Sequence, residues 1–99
     1  MEATKKESDL RRFERTTILW SGHLVFQEQV VACVIVNISA GGAMVRTEDA
    51  AYCQTSVVLR NERLGDLAAE VVWRQNDELG LKFVDGPETI AEVIGQALK

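Results

Sequence analysis

Apolar and polar residues alternate along most of this chain, and the period of the pattern changes once, near Pro87. Residues 1–10 carry no pattern and read as a flexible polar N-terminal arm. From Thr16, TTILW and HLVF are rich in β-branched and aromatic residues. The Ser21–Gly22 pair between them predicts one long strand with a bulge or kink at that point. Gln27–Gln29 makes a short turn into VVACVIVNIS, which is apolar at nearly every position and so predicts a strand covered on both faces. AMVRT resumes after a break at Ala40–Gly42, and TSVVLR is a fourth strand. In LAAEVVWR, residues Leu67, Ala69, Val71 and Trp73 fall on one face, with Glu70 and Arg74 on the other. LGLKFV repeats the alternation, with Leu79, Leu81 and Phe83 on one side and Lys82 on the other. Six strands joined by short turns predict a mostly β fold, a small closed antiparallel barrel.

Helical spacing takes over in DGPETIAEVIGQALK. Pro87 suits a first helical position and Glu88 the positive N-terminal end. Ile90, Val93, Ile94, Ala97 and Leu98 share one face, so the segment predicts an amphipathic C-terminal α-helix that packs on the barrel or on a partner.

Composition narrows the class. Ninety-nine residues, 46% of them hydrophobic and 26% charged, support one domain with a single core. The domain proper spans residues 11–99, after the arm. The net charge of −4 is uneven: residues 1–15 hold Lys5, Lys6, Arg11, Arg12 and Arg15 against four acids, and residues 16–99 hold six basic residues against eleven acids. An acidic body argues against a nucleic-acid polymer as ligand, because a backbone binder needs a broad basic surface. A small anion gripped by a few arginines fits the distribution.

Cys33 and Cys53 lack a CxxC spacing or a nearby His and read as reduced, buried or half-buried thiols of a cytoplasmic protein. MEATKKESDL lacks the apolar region of a signal peptide, and the run Val30–Val36 is too short to cross a bilayer. His23, the sole histidine, has no Cys, Asp or Glu at metal-ligand spacing and suits a surface or turn. With no P-loop, Ser–His–Asp set or paired carboxylates, the chain is expected to be neither an enzyme nor a holder of a metal or cofactor. Trp20 and Trp73 suit the core or the barrel mouth, where either could stack on a base.

Two motifs remain. RRFER gathers Arg11, Arg12 and Arg15 just before the first strand, and NISAGG, Asn37 to Gly42, follows the most apolar strand. Alone, the first is an ordinary solvated segment and the second a hairpin connection. Together they combine guanidinium groups with an amide, a hydroxyl and bare backbone at Gly41 and Gly42. Asn37 and Ser39, two apart, are expected to project to the same side. Asn accepts from the N1 and N2 donors of guanine. Arginine matches O6 and N7, stacks on purines and pairs with phosphate.

Arg-x-x-x-Arg followed by Asn-x-Ser-x-x-Gly resembles the signature of the PilZ domain, a bacterial receptor module for cyclic di-GMP, and AEVVWR and LGLKFVD resemble its closing strands. The resemblance implies a six-stranded barrel with a C-terminal helix. It implies that Arg11 and Arg15 clamp phosphates and guanine edges, with Arg12 adding a stacking or phosphate contact. Asn37 and Ser39 would bind a guanine base, and Gly42 would shape the turn. Asn37 stands where the family has Asp or Asn, and the neutral amide forgoes charge-assisted bonds, which implies modest affinity. The expected mechanism is ordering of the N-terminal arm on ligand binding, read out by a downstream protein partner. The rival readings are a ligand-independent PilZ-like adaptor between proteins and a small RNA- or DNA-binding barrel.

Overall fold

The computed structural model of the chain describes residues 15–50 and 53–99. In chain order its elements are β1 (Thr16–Phe26), β2 (Gln29–Ile38), β3 (Gly42–Arg46), β4 (Ser56–Asn61), β5 (Gly65–Gln75), β6 (Glu78–Phe83) and α1 (Pro87–Ala97). All neighbouring strands run antiparallel and close in the order β1-β2-β3-β6-β5-β4. The alternating residues explain the closure. Leu24, Ile35, Val45, Leu59 and Leu79, one from each of five strands, are completely buried in the lumen. Helix α1 seals the core with Ile90, also completely buried, while Val93 and Ile94 pack against the same cluster. Leu98, expected on the packed face, is instead the helix C-cap and stands exposed.

Two local expectations are corrected. β1 does not break at Ser21–Gly22, since its pairing with β2 runs unbroken from Trp20 to Phe26. The irregularity lies between Thr17 and Trp20, where Leu19 takes a left-handed φ of 51°. Gly22 is there for closeness: a Cβ would sit 2.8 Å from the Arg60 carbonyl oxygen and 3.3 Å from Ile35 Cδ1. Nor is β2 covered on both faces. A barrel has one interior, so the outward Val30 and Val34 remain exposed however apolar the strand is.

The polar groups at the barrel ends are spent on the backbone. Asn61 donates through Nδ2 to the Ser21 carbonyl at 2.8 Å, and its Oδ1 accepts from the amides of Arg63 and Leu64, which fastens β1 to the turn after β4. Cys33 and Cys53 are both free and buried. Burial first, and the neighbouring Cys53 second, push the Cys33 thiol up to about 12, so it stays protonated and neutral.

Candidate functional site

Two β-bulges build the site by changing which side chains face out. In β2 the register with β3 shifts between Ile35 and Asn37, and in β5 the register with β6 shifts between Val71 and Trp73. Before the second shift Val71 pairs with Leu81 on the inner side; after it Trp73 pairs with Gly80, which lies between the buried Leu79 and Leu81 and so faces outward. Trp73 therefore does not share the face of Leu67, Ala69 and Val71 that simple alternation assigned to it. One residue of slip moves a strand's side chains to the other face of its sheet. As a result Thr17, Asn37, Met44, Gly80 and Trp73 stand opposite one another in a row across β1, β2, β3, β6 and β5.

Asn37, Met44, Gly80 and Trp73 of this row floor a cleft of about 250 Å³, which Arg15 and Val72 also line. Arg15 immediately precedes β1, and its Nη1 donates to Asn37 Oδ1 at 2.6 Å. The bond leaves the Asn37 amide N–H groups and the other guanidinium donors for a ligand. At the opposite wall the indole of Trp73 rests against Gly80, where any Cβ would overlap the ring, yet Trp73 keeps 42% of its surface exposed. A guanidinium and an amide facing an aromatic plane can hold a flat heterocycle by its edge and its face, with an anion on the arginine side.

The predicted site residues fall into three groups. Arg15 and Asn37 meet in the cleft. Ser39 does not project beside Asn37. It is buried, its Oγ accepts from the amides of Gly41 and Gly42 at 3.3 Å each, and the hydroxyl donates to the Gly42 carbonyl at 3.4 Å. Its position just past the end of β2 turns it into the hairpin, which it holds closed. Gly42 pairs with Lys82, and a Cβ there would overlap the Leu81 carbonyl oxygen; its need is close strand packing, with no left-handed φ. Arg11 and Arg12 lie outside the described residues, as does the N-terminal arm.

Met44 and Gly80 were missed in the sequence, and Trp73 was assigned to the wrong face. The legible signal was Gly80 itself, a glycine inside an alternating strand, which marks a close approach by another group. Among the described residues no cluster of His, Cys, Asp or Glu is arranged to hold a metal ion. No described helix is long and apolar enough to cross a membrane.

Comparison with known proteins bears on this geometry. The family model for the PilZ domain matches residues 9–99. Among solved structures, the chain is similar to the PlzA protein of Borreliella burgdorferi, crystallised in complex with c-di-GMP. The TM-score is 0.62 at 16% sequence identity, over 94% of this chain and 37% of that one. The chain thus spans little more than a third of that protein's length. No curated protein matches the chain.

Proposed function

Because this chain belongs to the PilZ domain family, we propose that it is a receptor for cyclic di-GMP, with the outer cleft beside β2 as its binding site. The observation that carries the reading is the Arg15–Asn37 bond, which joins the two halves of the family motif across 22 residues of chain. In this proposal the Arg15 guanidinium leaves Asn37 to pair with phosphate and with the O6/N7 edge of a guanine, and Arg11 and Arg12 complete the clamp. Asn37 takes the Watson–Crick edge of the base, and Trp73 offers a stacking face. Ser39 and Gly42 act through the hairpin, keeping Asn37 in its place in the row. Ordering of the N-terminal arm, residues 1–15, over the bound dinucleotide changes the surface near the N-terminus, and a downstream protein reads that change in the bacterial cytoplasm. The domain binds and signals; it performs no chemistry on the ligand.

Calorimetric titration with cyclic di-GMP tests the reading. The wild type is expected to saturate, and Arg15→Ala or Arg11→Ala to weaken binding by about tenfold or more, the worth of a charge-assisted bond. Ser39→Ala is expected to weaken it through the loosened hairpin. Asn37→Asp is expected to bind more tightly at moderate salt, and all binding to fall as salt rises. No binding to the wild type at high micromolar ligand would favour a ligand-independent adaptor. Equal affinity for GTP or single-stranded RNA would favour a broader nucleic-acid module.

A further inference from the structure

A larger depression, about 580 Å³, lies at the other end of β2, between the β1–β2 hairpin and the turn that follows β3. Register explains it. β3 stops pairing with β2 at Arg46↔Val34, whereas β2 continues back to Gln29 paired only with β1. No described strand runs along Gln29–Cys33 on the side away from β1. The Thr47 hydroxyl donates to the Ala32 carbonyl at 2.8 Å, so the backbone of Ala32 faces this open side. By the two-residue period of a strand, the amide and carbonyl of Val30 face it too. Beside this edge the surface is apolar, with Val30 57% and Val34 39% exposed.

The rim is mostly acidic, three carboxylates to one guanidinium. Glu48, Asp49 and Asp77 line the groove, and none has an ion-pair partner among the described residues. The cation on this rim, Arg46, is already bonded to Glu78 at 2.8 Å. A second copy of the chain meeting this groove through the same face would set acidic rim against acidic rim, which repels.

We propose that the groove docks an extended, Lys- or Arg-bearing segment of a partner protein, which adds to the open edge of β2 in line with β3. Main-chain bonds to the amide and carbonyl of Val30 and to the amide of Ala32, whose carbonyl Thr47 already holds, supply affinity, and alternate basic side chains facing Glu48, Asp49 and Asp77 supply register and specificity. Asn37 lies near the other end of β2 and Met44 in the middle of β3, so the docked strand lies beside the same two strands that carry the cleft. The proposal stands independently of the nucleotide reading.

The probe is a synthetic octapeptide of alternating Lys and Val, titrated into the full chain and followed by amide NMR shifts and hydrogen exchange. Saturable shifts are expected at Val30, Ala32, Val34 and Asp77, with slowed exchange of the Val30 and Ala32 amides. Glu48→Lys and Asp77→Lys are expected to weaken the peptide by about tenfold together, the sum of several exposed charge contacts. Asp77→Asn is expected to give a smaller loss in the same direction. Arg15→Ala should leave peptide binding unchanged, which separates this site from the cleft. Equal binding of a Glu–Val octapeptide, shifts centred elsewhere, or no shifts at millimolar peptide would each overturn the proposal. So would a concentration-dependent dimer in sedimentation that Asp77→Lys abolishes, since that assigns the face to a second copy.

Discussion

The two tryptophans sit just past irregularities in their strands, and they differ in what covers their rings. Trp20 follows the shift in β1, faces inward opposite Ile35 and packs against the core. Its ring is covered by Arg63, whose guanidinium carbon lies 5.0 Å from the ring centroid. Trp73 follows the shift in β5, faces outward and rests on the bare backbone of Gly80 beside Asn37 and Arg15. One indole packs against the core and carries Arg63 over its ring. The other has a floor and an open side. A bulge by itself does not leave a ring available; what matters is whether the chain already supplies the ring's partner.

The comparison can be broken in several ways. The largest effect is expected from Gly80→Val, because the new side chain overlaps the Trp73 indole. Overpacking costs about 1–3 kcal/mol of stability, and the displaced ring loses its place in the cleft, so denaturation and nucleotide titration should both register the change. Unchanged binding by a folded Gly80→Val protein would remove Trp73 from the site. Next comes Trp20→Ala, expected to cost about 2–3 kcal/mol in denaturant unfolding for a half-buried aromatic, while affinity stays constant. Trp73→Ala should do the reverse. Loss of a base–aromatic stack is worth about 1–3 kcal/mol, or roughly fivefold to 150-fold in dissociation constant, with little change in the unfolding midpoint. If both variants shift stability alike and neither shifts affinity, the two indoles are equivalent and the distinction fails. The smallest effect is expected from Arg63→Ala, about 0.5–1 kcal/mol of stability for an exposed cation–π contact, with a change in Trp20 fluorescence and none in binding.

The same contrast marks how far the sequence could be read. Strand and helix identities were legible, because alternation in β5 and β6 and the spacing of Ile90, Val93, Ile94 and Ala97 are local properties that solvent exclusion alone imposes. The motif set Arg15 and Asn37 on either side of one ligand; the direct bond between their side chains was not anticipated. Nor were the bulges, since nothing in VVACVIVNIS or AEVVWR marks the residue at which pairing slips. For the same reason Trp73 was assigned to the wrong face, and Ser39 was expected beside Asn37 although it turns into the hairpin.

What the chain determined by itself is the inventory: six strands, a closing helix, one core, and arginines set ahead of an Asn–Ser–Gly turn. These follow from periodicity and residue chemistry, which act over a few neighbouring positions. What only the tertiary structure decided is the outer row from Thr17 to Trp73 and the open edge at Val30 and Ala32. Both depend on where one strand stops matching another. That choice is made by packing between segments far apart in the chain, and a local pattern cannot encode it.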